Sequence, residues 1–320
     1  MSYRQALRLV IITLGFVALA HLAVPTLWAA SKTKKPPQPA APDEPIDTSA
    51  YVGAETCKTC HEEIYKDYET TPHWKTMSDT RRGVAFQGCE ACHGPGKAHV
   101  EGGGDTTKIF TFKGVSATAI SYRCLGCHNY DQEHQNFVRG QHALSQVSCI
   151  DCHQPHHPKQ PQRLLVASQP QLCFSCHQDV SPQFSRPYHH RVKEGLMKCT
   201  DCHNPHGGFG TQRARLQRAS SSQDAVCFNC HADKAGPFVY EHPPVKVEGC
   251  ISCHVPHGSA NPRLLIYSQV NLLCLGCHTL TVDSSVPGVP SFHNQTTKYQ
   301  ACTLCHMAIH GSNFSAVYFK

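Results

Sequence analysis

Charge and apolar bulk are both scarce in this 320-residue chain: charged residues make up 16% and aromatic residues 8%, with only 4 methionines and 2 tryptophans. Glycine and proline number 22 each and break up most apolar stretches. One nearly unbroken apolar run exists, from Leu9 to Ala20, and no later stretch approaches the roughly 20 residues that a spanning helix needs. A chain this poor in aliphatic runs builds no large conventional core, so disulfides, metal ions or covalent cofactors are expected to organise it.

Arg4 and Arg8 ahead of the apolar run, and the small residues Ala29, Ala30 and Ser31 behind it, outline a secretory signal peptide over residues 1–31. The next segment carries five prolines between Pro36 and Pro45, with Lys32, Lys34 and Lys35 before them, and reads as an extended tether over residues 32–49. An exported, ordered protein is expected from about Ala50.

Cysteine and histidine are abundant where other residues are not, at 20 and 24. Every cysteine belongs to a C-x-x-C pair, and a histidine follows every pair. The ten motifs are Cys57 and Cys60 with His61, Cys89 and Cys92 with His93, Cys124 and Cys127 with His128, Cys149 and Cys152 with His153, Cys173 and Cys176 with His177, Cys199 and Cys202 with His203, Cys227 and Cys230 with His231, Cys250 and Cys253 with His254, Cys274 and Cys277 with His278, and Cys302 and Cys305 with His306. Two thiols three residues apart on one tight turn add to the two vinyl groups of a single haem, and the next residue then lies beneath the iron. The pattern is that of c-type haem attachment with the histidine as proximal ligand. A disulfide scaffold demands no histidine at a fixed offset, and a zinc ribbon does not demand one after each knuckle.

Ten motif histidines leave others for the opposite face of the iron. His156, His206 and His257 sit three residues after a motif histidine in CHQPH, CHNPH and CHVPH, and His310 sits four after in CHMAIH. His142, His190, His242 and His293 precede a motif by seven to nine residues, and the first segments offer His73 and His99. Ten distal candidates match ten motifs, which points to bis-histidine ligation of ten haems. His134, His157 and His189 are spares; His157 competes with His156, and His189 with His190. Methionine, which raises the potential of a haem, is represented after the initiator only by Met77, Met197 and Met307, each near a better placed histidine. Low-potential haems with no open coordination position are expected, which favours electron transfer over catalysis.

The intervals between motifs run from 23 to 35 residues, and the pairs beginning at Cys149, Cys199 and Cys250 repeat CxxCHxPH followed by CxxCH; RLL recurs at Arg163 and Arg263. The expected fold is a multihaem cytochrome c, mostly coil with short α-helices at the motifs and around His73 and His142, with little or no sheet. An elongated row of ten haems divides by convenience into pentahaem halves at 50–190 and 191–320. Loss of Arg4 and Arg8 takes the formal charge from +6 to +4, and twenty ionised propionates with ten ferric centres take it to −6. Nothing supports binding to nucleic acid.

Ten CxxCH motifs, GCEACHGPGKAH from Gly88 to His99, the repeated CHxPH and a closing CHMAIHGSN together resemble the MtrA/DmsE/PioA family of decahaem c-type cytochromes over residues 50 to 315. The resemblance implies a periplasmic cytochrome that plugs an outer-membrane β-barrel porin. It would take electrons from, or give them to, a periplasmic or inner-membrane cytochrome and an extracellular multihaem cytochrome or reductase. Metal reduction, S-oxide respiration and iron(II) oxidation are all chemistries this implies. With irons on the order of 10 Å apart, ten in a row extend roughly 90 Å, about twice the ~40 to 45 Å of a bilayer with its headgroups. Lacking a lipid-compatible surface, such a row needs a closed barrel around it. A free periplasmic shuttle, or a terminal reductase of metal ions or an S-oxide, is the other class that the motifs fit.

Overall fold

The computed structural model describes residues 46–130, 134–207, 225–278 and 300–319. The leader, residues 32–45 of the proline-rich tether and His293 lie outside the described residues, and the last part of the expected tether is ordered, with Thr48–Ala50 in a 3-10 turn capped by Asp47. The described residues all fall within one compact unit, Pro45–Lys320.

Short helices joined by turns make up the described residues. Among the described residues the longest helix is Ala117–His128, whose N-terminus is capped by the Ser116 hydroxyl accepting from the Ala119 N–H at 3.2 Å. Most others are single turns, and their positions follow the motifs. In nine of the C-x-x-C-H motifs the histidine N–H donates to the carbonyl of the first cysteine, at 2.9 Å for His61 and Cys57, 3.0 Å for His93 and Cys89 and 2.8 Å for His203 and Cys199, and in the tenth His128 ends the helix Ala117–His128. One helical turn therefore puts both sulfurs on a common face. Aspartate inside two motifs reinforces the turn: Asp151 accepts from the Ser148 N–H at 2.6 Å, and Asp201 from the Lys198 N–H at 2.8 Å. The segments carrying His73 and His142 are helical as expected, in a 3-10 turn at Pro72–Met77 and an α-helix at Gln141–Leu144.

Sheet is confined, among the described residues, to isolated bridges such as His153 with Leu165 and His254 with Leu265. These bridges explain the RLL repeat. Arg163 and Leu164 adopt φ of 65° and 54°, and Arg263 and Leu264 adopt 58° and 60°. The left-handed bend folds each RLL back onto the preceding motif: the Gln154 N–H donates to the Leu164 carbonyl at 2.7 Å, and the Val255 N–H to the Leu264 carbonyl at 2.7 Å. Four non-glycine residues in this region cost roughly 1–2 kcal/mol each, so tertiary contacts must hold them there.

The apolar interior is thin. Tyr65, Tyr68, Ile120, Leu125, Phe137, Leu164, Phe184, Val192 and Val226 are buried, yet no described side chain is wholly enclosed. Bonds also run straight across residue 190: Arg186 donates to the Gly258 carbonyl at 2.9 Å, and Tyr188 bridges Ser259. Among the described residues no helix is long and apolar enough to cross a membrane.

Candidate haem-binding sites and their ligands

In eight of the nine successive pairs of motifs the attachment cysteines adjoin one another. Cys57 shares a hydrogen bond with Cys89, Cys124 with Cys149, Cys173 with Cys199 and Cys274 with Cys302. The bond from its partner lowers the thiol pKa of Cys149, and likewise that of Cys199. Between these pairs, Cys92 lies within electrostatic reach of Cys127, Cys152 of Cys176, Cys202 of Cys227 and Cys253 of Cys274.

Histidines from distant parts of the chain face one another at a characteristic separation. Ring centres stand 6.4 Å apart for His61 and His99, 6.0 Å for His93 and His156, 5.9 Å for His73 and His128, 6.0 Å for His153 and His206, and 6.1 Å for His142 and His177. The series continues at 5.9 Å for His203 and His257, 6.3 Å for His190 and His231, 6.3 Å for His254 and His310, and 6.2 Å for His242 and His278. Each pair joins one motif histidine to one expected distal histidine. A metal–imidazole bond of about 2 Å on each side, plus roughly 1 Å from each nitrogen to its ring centre, separates two axial rings by about 6 Å. The donor set thus fits a haem iron between each pair. His306 of the last motif lies against Phe319, at 5.0 Å.

Hydrogen bonds fix which ring nitrogen faces the partner. The Nδ1–H of His93 donates to the Phe110 carbonyl at 2.9 Å, that of His153 to Arg163 at 2.7 Å, that of His254 to Arg263 at 2.8 Å and that of His306 to Val317 at 2.5 Å. The left-handed RLL bend therefore has a purpose, which is to aim the arginine carbonyl at a motif histidine. On the distal side His99 donates to Asp105, His142 to Pro205 and His190 to Pro256, at 2.9, 2.9 and 2.6 Å. In each case Nε2 is left for the metal, the usual arrangement of a ligating imidazole. Burial, then the neighbouring histidines, lowers His156 to about 4, and burial likewise lowers His73, His203, His257 and His310. These rings are neutral at neutral pH, the form that binds metal.

The spares are otherwise engaged. His157 meets the Asp67 carboxylate, while its neighbour His156 faces His93. His189 bonds to Glu194 at 2.8 Å and to the Arg186 carbonyl at 2.6 Å, while His190 faces His231. His134 lies between His128 and His206, with ring centres at 5.6 and 4.4 Å. The aromatic tail is divided: Tyr318 packs on His242 and Phe319 on His306, whereas Phe314 is 88% exposed.

Sequence reading missed the backbone carbonyls that orient the rings, although the RLL repeat was their visible trace. It also missed Glu90. This buried carboxylate, inside the second motif, accepts from the N–H groups of Val52, Gly53 and Gly96 at 3.1, 2.9 and 2.7 Å and so ties the first motif to the second.

Helical attachment turns in a nearly coreless chain define a multihaem c-type cytochrome that binds haem c through its CxxCH motifs. Residues 142–182, 189–236 and 242–282 match the doubled CXXCH motif family, and residues 56–87 match the cytochrome c554 and c-prime family. The chain is similar to the multiheme cytochrome MtrA of Shewanella baltica (strain OS185), 30% identical over 98% of this chain and 96% of that protein. It belongs to the MtrA family of multihaem electron-transfer cytochromes.

Proposed function

We propose that the chain is a periplasmic wire of ten haems c, each held by two histidines, that carries electrons across the outer membrane inside a β-barrel porin. Its redox partners are a periplasmic or inner-membrane cytochrome on one side and an extracellular multihaem cytochrome or reductase on the other. The observation that carries this reading is the chain-ordered adjacency of the attachment cysteines, which links eight of the nine successive pairs of motifs. The axial pairs are those whose rings stand about 6 Å apart, with His293 serving the last motif by elimination. The bound haems supply one-electron iron couples. The protein attaches them through its thiols, orients the axial rings through backbone carbonyls and leaves no position for substrate.

Two measurements test the reading. Electron paramagnetic resonance of the oxidised protein is expected to show only low-spin, bis-histidine iron. A high-spin fraction near one tenth would mean an open site and overturn the ligation. Co-reconstitution with its porin in liposomes holding a redox dye is expected to speed reduction of the dye by an external reductant. A rate equal to that of the empty porin would leave the conduit without support and favour a free shuttle.

A further inference from the structure

Three of the turns that carry a distal histidine just after a motif each touch three motifs. At residues 203–206, His203 belongs to the motif beginning at Cys199, the Pro205 carbonyl accepts from His142, and His206 faces His153. At 254–257, His254 belongs to the motif beginning at Cys250, the Pro256 carbonyl accepts from His190, and His257 faces His203. At 306–310, the Ile309 backbone bonds to His242, and His310 faces His254. The turn therefore presses the distal histidine of one site against the segment that bears the distal histidine of the next.

A glycine follows the last histidine in all three turns, and space explains it. A Cβ on Gly258 would lie 2.0 Å from the Gln183 carbonyl oxygen and 3.2 Å from the His189 side chain, immediately before His190. One on Gly207 would lie 2.7 Å from the Cα of Gly140, two residues before His142. One on Gly311 would lie 2.1 Å from the Phe238 ring, four residues before His242. In the first turn His157 occupies this place, and it reaches the same kind of segment through Asp67, six residues before His73.

We propose that Gly207, Gly258 and Gly311 are positioning residues, each locking the axial ligands of two neighbouring haems at once. Gly258 holds His257 against the site of His203 and His190 against the site of His231. Gly207 does the same for His206 and His142, and Gly311 for His310 and His242. This rests on the bis-histidine reading above. A methyl group at Gly258 drives apart two backbones, neither of which is a flexible side chain, so it displaces both histidines rather than one.

The test is paramagnetic resonance of the purified ten-haem Gly258→Ala protein beside its parent, with haem content measured on both. Two of the ten haems are expected to leave the low-spin population or to change their g-values. A purely structural role would lower the melting temperature and leave the spectrum of the folded protein unaltered. A fully low-spin parent with one haem altered in the variant, or none, overturns the proposal alone. High-spin iron already in the parent overturns the bis-histidine reading and the proposal with it. Gly140→Ala gives the same decision should Gly258→Ala fail to accumulate. Its φ of −75° suits alanine, and its Cβ would meet the Phe137 carbonyl oxygen at 3.1 Å and the Gly207 Cα at 3.2 Å, a mild intrusion. Two low-spin signals are expected to shift, those of the haems at His153 and His177, and a shift in one or none overturns the proposal.

Discussion

Replacing His257 with alanine is expected to convert one haem in ten to high-spin iron, and removing the haem attached at Cys199 and Cys202 is expected to abolish that high-spin signal. His257 stands three residues after His254, yet its ring faces His203 of an earlier motif, 5.9 Å away. Chain reach requires such an exchange. Three residues extend at most ~10 Å, too little to lead the backbone around the rim of a porphyrin from the proximal to the distal face. A CHxPH turn therefore cannot ligate its own haem on both sides. The decisive measurement is resonance of the full-length His257→Ala protein with and without the added Cys199→Ser and Cys202→Ser changes. If the high-spin signal survives loss of that haem, His257 serves some other site and the pairing is wrong. The same logic applies to His206, whose open site is expected at the motif beginning at Cys149.

Without haem attachment, the chain is expected to lose its cooperative fold altogether. Nine buried apolar side chains, none of them wholly enclosed, serve the whole described structure. Fixing each backbone residue costs roughly 1–2 kcal/mol, far more in sum than so few buried groups return. Ligands that meet across 63 residues of chain, as His93 and His156 do, have nothing but the metal and the porphyrin between them to reward the meeting. Chain produced in a host unable to attach c-type haem should show little helix by far-ultraviolet circular dichroism, no thermal transition and rapid proteolysis. A cooperative transition with native helix content would show that a protein core of its own suffices.

Much of the fold was legible in the sequence because covalent chemistry is local. C-x-x-C-H is a complete site within five residues, so its helical turn and its cofactor follow without any tertiary contact. The helical segments around His73 and His142 and the near absence of sheet followed from the same sparseness of apolar runs. The RLL repeat was visible as a repeat but not as a clamp. Its meaning lies in the left-handed φ of Arg163 and Arg263, which aims a backbone carbonyl, and a carbonyl carries no side-chain signature. Glu90 gave no signal, because a glutamate inside CEACH reads like any solvated charge until three N–H groups are found converging on it.

The choice between adjacent histidines shows where sequence stops. His156 and His157, or His189 and His190, are equivalent by composition and differ by one position. One ring of each pair turns toward another imidazole and the other toward a carboxylate, Asp67 or Glu194. Which of the two ligates is therefore a matter of direction, and direction is set by the turn on which they stand.

The number of attachment motifs, the residues that compose them and the replacement of a core by cofactors could be read from the chain alone, since each depends on residues within one turn of backbone. Which distal histidine faces which motif is a matter of tertiary structure, because a ligand on the far side of a porphyrin must come from chain that has travelled around it. That requirement ties the motif histidines His153, His203 and His254 to later turns through His206, His257 and His310, and His128, His177, His231 and His278 to earlier chain through His73, His142, His190 and His242.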